Sequence, residues 1–261
     1  MTIDQLKAND FSLVLSGGGA LGIAHLGVLH DLEKYGLVPA EIVGTSMGGI
    51  IGACAAIGMK EHEIYKLVDS ISDLFNWISF SFSGNAVVQH EKIEQIFLQV
   101  FEKRTMSDTA IPLKLIATNL LNGHKRVFTA SDDILIKDAL LATMAIPGIF
   151  EEKQINGAVY VDGFLCENLG ISESSCDHVI AVDVMSRHSF FNALPDNFLK
   201  ASNVLEMFEK AVRLMIFNQT QSSLARCDKE LILIEPETRH YKTYHFHKTT
   251  EIRALGLDLL E

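Results

Sequence analysis

The chain has 261 residues, 48% of them hydrophobic, and its 33 acidic against 22 basic side chains leave a formal charge of −11. That is enough apolar material for a substantial core, and one α/β domain covering 1–261 is expected. With no Lys/Arg-rich run, the charge balance argues against a field that gathers nucleic acid and disfavours attraction to anionic membranes.

The opening residues MTIDQLKAND are polar and acidic where a secretory signal would carry a basic patch and an apolar run, so a cytoplasmic protein is expected. Residues 11–15 form a short apolar strand. Leu21, Ala24, Val28, Leu29 and Leu32 then recur at helical spacing, with Gly36 placed to end the helix in a left-handed conformation. Residues 42–59 contain no charge, which meets the lower length limit for a membrane span. Their five glycines favour a buried strand ending near Gly44 and a buried helix ending at Gly58. Two apolar strands joined by a helix predict a parallel sheet with helices on both faces, the start of an α/β/α sandwich.

Farther along, residues 90–102 carry a helical apolar face, and 111–120, 124–130, 157–163, 178–184 and 230–236 read as strands. A long helix is predicted over 200–226. The least regular stretches are 72–88 and 186–199. The cysteines Cys54, Cys166, Cys176 and Cys227 form no CxxC pair and are expected to be reduced. Cys166, Cys176 and His178 match no usual zinc spacing, and His245 and His247, near His240, alternate on an expected surface strand. No metal is expected.

Three readings compete for the glycines in "SGGGALG". Gly17-x-Gly19-x-x-Gly22 between strand and helix fits a dinucleotide fingerprint, but the second strand ends Val43-Gly44-Thr45-Ser46 where that fold needs an acidic residue. What stands there, Gly44-Thr45-Ser46-Met47-Gly48, is G-x-S-x-G, a turn that presents a serine nucleophile. A serine attacking an ester creates an oxyanion, which backbone N–H groups of Gly17, Gly18 and Gly19 are suited to hold. For the base, a conventional triad would need a histidine in a late loop, for which His240, His245 and His247 are the candidates. Asp162, ending a strand just before Gly163, is the direct alternative, because burial can tune a carboxylate toward the operating pH.

"SGGGALG", "GTSMGG", "ATMAIPGIF" and "VDGFLCENL", in that order, resemble the patatin-like phospholipase family, and the likeness extends over almost the whole chain. The resemblance implies a three-layer α/β/α fold with a mainly parallel central sheet and a Ser-Asp dyad that hydrolyses acyl esters of lipids, as a phospholipase A or lysophospholipase. It implies Ser46 as nucleophile, Asp162 as base and Gly17, Gly18 and Gly19 as oxyanion hole, with Gly22, Gly44, Gly48 and Gly163 supporting the motifs. Neither metal nor organic cofactor is implied. The expected partner is a lipid or other acyl ester, with transient contact to a membrane surface and no nucleic acid; no oligomeric state follows.

Two residues depart from the family's pattern. Many members carry arginine at the place of Leu21, and the second motif usually reads Asp-Gly-Gly or Asp-Gly-Ala, whereas here Phe164 follows Gly163. A bulky residue would be strained there if the position required φ > 0. The rival functions are a carboxylesterase for short soluble esters and a catalytically weak member that binds lipid or protein. Phe75, Trp77, Ile78, Phe80 and Phe82, and again Phe190, Phe191 and Phe198, supply apolar clusters suited to a lid or an acyl-chain surface.

Overall fold

The computed structural model describes residues 2–76, 86–190 and 201–260. After a short helix α1 (Ile3–Ala8), strand β1 (Phe11–Leu15) leads through a 3-10 turn (Gly19–Ala24) into helix α2 (His25–Tyr35), which stops at Gly36 with φ 66°. The predicted single helix from Leu21 is therefore split: its first turn is the tighter 3-10 form, and α2 begins at His25. Strand β2 (Glu41–Thr45) passes directly into α3 (Ser46–Ala56). The uncharged stretch 42–59 is thus a strand and a buried helix. Among the described residues no helix is long and apolar enough to cross a membrane.

Helices α4 (Glu61–Asn76) and α5 (Ala86–Phe101) follow, then β3 (Leu113–Asn119), β4 (Lys125–Phe128), α6 (Ile136–Thr143), β5 (Lys153–Ile155) and β6 (Ala158–Asp162). Strand β7 (His178–Val182), the long helix α7 (Ala201–Leu224), β8 (Glu230–Ile234) and α8 (Thr249–Ala254) complete the chain. Helix α4 reaches Asn76 and α5 starts at Ala86, so part of the stretch read as irregular is helical. Trp77, Ile78, Phe80, Phe82, Phe191 and Phe198 lie outside the described residues. Phe190 packs edge-to-face on Phe217 of α7, ring centroids 5.3 Å apart. His245 and His247 do not lie on a strand; His245 precedes and His247 lies within a 3-10 turn at Phe246–Lys248, their rings tilted to one another with centroids 5.5 Å apart.

The eight strands form one mixed sheet. Strands β8, β7, β1, β2 and β3 are parallel neighbours in that order. Alternation of side chains divides the core between the two faces. Leu13, Leu15, Ile42, Leu115, Ile180 and Val182 point to the side of α2 to α6, while Val14, Val43, Ile116, Val179 and Ala181 face the other side, covered by Leu169, Ile171 and Leu224 of α7. Strands buried on both faces are largely apolar, as Leu13–Leu15 of β1 and Val179–Val182 of β7 show. This is the three-layer α/β/α arrangement.

Strand β3 has three partners, and their registers decide where the site forms. Along one edge it pairs with antiparallel β4 from Leu115 to Thr118. On its other edge β2 pairs up to Thr45 opposite Ile116, and antiparallel β6 takes over at Ala117, which faces Asp162. A residue has only two lateral neighbours, so β2 and β6 must share that edge and meet end to end. Above Ala117 the rings of Phe128 and Tyr160 meet edge-to-face at 5.3 Å, filling the space the small side chain leaves. Phe128 is 1% exposed, so Phe128→Ala is expected to lower unfolding free energy by about 3–5 kcal/mol, read as a fall in the urea midpoint at unchanged m-value.

Candidate active site

Ser46 stands where β2 becomes α3. Its φ of 52° is one of four positive values among non-glycine residues described, a conformation that costs a residue with a side chain about 1 kcal/mol or more. The surroundings hold it there: its N–H donates to Thr143 Oγ1 at 2.9 Å, and Thr143 Oγ1 in turn donates to the Ile116 carbonyl at 2.5 Å. Close approach of backbone makes the turn sharp. A Cβ on Gly48 would sit 2.4 Å from the Leu15 carbonyl oxygen, and one on Gly163 would sit 2.3 Å from that of Ile116. Gly44 lies against the backbone of Gly49, and Gly22 against the side chain of Met47.

The Ser46 hydroxyl donates to Asp162 Oδ2 at 2.6 Å. The other carboxylate oxygen, Oδ1, accepts the Phe164 N–H at 3.0 Å, and the Asp162 carbonyl accepts Thr118 Oγ1 at 2.9 Å. Serine and aspartate are 6% and 0% exposed. Burial pushes the Asp162 carboxyl up from 3.8 to about 7, against the lowering effect of the Phe164 and Ser46 hydrogen bonds. A carboxylate so placed exchanges its proton near neutral pH and touches one hydroxyl.

Of the three glycines, Gly17 has its N–H turned to the Asn168 carbonyl at 3.3 Å, while those of Gly18 and Gly19 meet no acceptor among the described residues. Gly17 contributes by closeness instead: its Cα is so near that a Cβ would be 3.1 Å from that of Ser46. Leu21 is fully buried in the apolar core behind the loop. Phe164 does not have a positive φ, so the departure from a small residue there brings no backbone strain. No histidine is hydrogen-bonded to Ser46 or Asp162 among the described residues; His245 Nδ1 accepts the Lys242 N–H at 3.2 Å.

The sequence reading did not single out several residues around the pair. Thr143 lies inside "ATMAIPGIF", so the motif itself carried its signal. Gln219 of α7 grips the aspartate loop, accepting from Asn168 N at 2.8 Å and donating to the Phe164 carbonyl at 3.3 Å. His25 is wholly buried beside Ser16, whose carbonyl lies 2.8 Å from Nε2, and burial holds its pKa down at about 4, so the ring is neutral. Asp183, buried just past β7, is also raised by burial to about 7. Among the described residues no cluster of His, Cys, Asp and Glu is arranged to hold a metal ion.

The sequence profile of the patatin-like phospholipase family matches residues 13–174, more than half the chain. The chain belongs to the patatin-like phospholipase family. It is similar to lysophospholipase NTE1 of Candida glabrata, 25% identical over 279 residues that take in 97% of this chain and 16% of that protein. The corresponding protein of Saccharomyces cerevisiae is 24% identical, again over 97% of this chain and 16% of its own length. An uncharacterised NTE family protein of Mycobacterium tuberculosis is 28% identical over 66% of this chain and 48% of its own. This chain thus spans about a sixth of the length of the yeast relatives. Among solved structures, VipD from Legionella pneumophila superposes with a TM-score of 0.50 at 13% identity, covering 94% of this chain and 67% of that one, which places the two in the same fold.

Ionising Asp162 inside this family member costs folding energy. Because its folded pKa lies above the unfolded value, the folded state holds the extra proton between about pH 4 and 7, and stability drains away as pH rises through that window. Asp162→Asn is therefore expected to melt at least ~3 °C higher than wild type at pH 8, the gap closing toward pH 4. Thermal unfolding across pH checks this.

Proposed function

We propose that this chain hydrolyses acyl esters of lipids, with Ser46 as nucleophile and Asp162 as its base. The observation that carries the reading is the 2.6 Å hydrogen bond from the Ser46 hydroxyl to a buried carboxylate whose pKa is about 7. Family membership and the lysophospholipases among its relatives support a lysophospholipid or phospholipid as the substrate class.

In the first half-reaction Asp162 takes the Ser46 proton as Oγ bonds to the ester carbonyl carbon. The carbonyl oxygen becomes an oxyanion, and the unengaged N–H groups of Gly18 and Gly19 are the donors proposed to hold it, each worth about 10²–10³ in rate. Collapse breaks the bond to the alcohol oxygen, which leaves with the proton from Asp162, and the acyl group stays on Ser46. In the second half, Asp162 takes a proton from water, the hydroxide attacks the acyl carbon, and Ser46 is released carrying that proton. The fatty acid departs. The chemistry proposed uses one domain, residues 1–261, and calls on no metal or cofactor. Four unpaired cysteines support a reducing compartment, in keeping with action in the cytoplasm.

The test is hydrolysis of esters graded from acetate to palmitate, beside labelling with a fluorophosphonate. Wild type is expected to label and to prefer the longer chains. Ser46→Ala should neither label nor turn over, with kcat at least ~10³-fold lower, and Asp162→Asn should lose at least ~10²-fold. Highest turnover on acetate would make the chain a short-ester hydrolase. Labelling and turnover that survive in Ser46→Ala would overturn the assignment of the nucleophile.

A further inference from the structure

Arg213 is the largest fully buried side chain described, and it takes no part in the chemistry proposed. It lies on α7 four residues after Glu209, and the two form an ion pair at 2.7 Å with side chains 0% and 8% exposed. Stability alone explains a buried pair poorly, since removing two charges from water costs about as much as their attraction returns. What the pair grips is the chain segment 241–243. Arg213 Nη2 donates to the Tyr241 carbonyl at 2.9 Å and Nη1 to the Ser189 carbonyl at 2.5 Å. Glu209 Oε1 accepts both the N–H and the hydroxyl of Thr243, at 2.9 and 3.0 Å.

That segment lies directly on the glycine loop. The Thr243 carbonyl accepts the Ala20 N–H at 2.8 Å. It also stands so close to Gly19, whose φ is +55°, that a Cβ there would be 2.4 Å from the Thr243 oxygen. Nearby, Thr238 Oγ1 donates to the carbonyl of Val184, whose side chain abuts Gly18. The glycine loop has no side chains of its own to fix it. Asn168 holds its first residue, meeting both the N–H and the carbonyl of Gly17; its far end is held from outside by the run Arg213, Glu209, Thr243, Ala20.

We infer that the buried Arg213–Glu209 pair is a strut that positions the Gly18 and Gly19 N–H groups, making both charged side chains positioning residues for the reaction proposed above, on which this inference rests. A strut of this kind acts on the oxyanion far more than on substrate binding, so its loss belongs in kcat. A displacement of about 1 Å in such donors is enough to cost a large part of the rate.

The experiment compares wild type with Glu209→Leu/Arg213→Met, which removes both charges together and leaves neither buried alone. Thermal unfolding confirms the fold, hydrolysis of a medium-chain ester gives kcat and KM, and hydrogen exchange reads the Ala20 amide. Expected are a kcat at least ~10-fold lower with KM within ~2-fold, and Ala20 exchange at least ~10-fold faster. A folded double variant with wild-type kcat and wild-type Ala20 protection overturns the inference. Should that variant fail to fold, the near-isosteric Glu209→Gln stands in: a kcat loss of about 3-fold or more with faster Ala20 exchange supports the strut, and no change in either overturns it. The exchange readout needs no turnover. If Ser46→Ala proves as active as wild type, the reaction scheme fails by itself, and the Ala20 result still decides whether the strut holds the loop.

Discussion

Everything at the candidate site depends on two adjacent residues of β3. Ile116 faces Thr45, and Ala117 faces Asp162. A parallel strand and an antiparallel one thereby meet end to end along a single edge, and the register sets the serine turn against the aspartate. No loop has to carry either group into place. The same strand braces the serine a second time, because the Ile116 carbonyl accepts the hydroxyl of Thr143, which itself accepts the Ser46 N–H. Precision of this sort comes from sheet hydrogen bonds, the most rigid element available.

The fold bears two local costs at that point. One is the positive φ of Ser46; the other is a carboxyl in a place where its charge is poorly solvated. Both are compensated nearby, by Gly48 and Gly163 at points where backbone must pass within van der Waals contact, and by Phe164 N–H and Ser46 Oγ donating to the carboxylate. Strain and burial concentrated on the same pair of side chains support the catalytic role proposed for them. Leu21 and Phe164, the two departures from the family's pattern, sit without strain around this arrangement, one in the core and one with its N–H on the carboxylate.

Motif order made the central pair legible in the sequence. G-x-S-x-G carries its own local geometry, and Asp162-Gly163 at a strand end is a short-range signal too. The strand-helix alternation of the first sixty residues was equally readable, because the middles of the buried parallel strands are apolar, with the polar Ser12, Glu41 and Thr45 toward their ends. What stayed hidden was non-local. That Gly17 turns its N–H to Asn168, leaving Gly18 and Gly19, depends on a contact between residues 151 positions apart, as the Asn168 side chain's own bond to the Gly17 carbonyl does. Arg213 reads in sequence as an ordinary polar residue on a helix, since nothing local says that its face is buried. His245 and His247 alternate as a strand would, yet Phe246 between them is the buried residue of a 3-10 turn. Short helices such as α6 and α8 carry too few turns to show a period.

The central claim is that Asp162, at a pKa lifted by burial, removes the Ser46 proton. The pH dependence of the rate at which a fluorophosphonate labels Ser46 tests it most directly, because that step needs the serine activated and involves no leaving alcohol of the substrate. The rate should rise through a single ionisation near pH 7 and level off above it, and Asp162→Asn should remove that rise along with most of the rate. A profile unchanged in Asp162→Asn, or one abolished by replacing a histidine instead, would contradict the account.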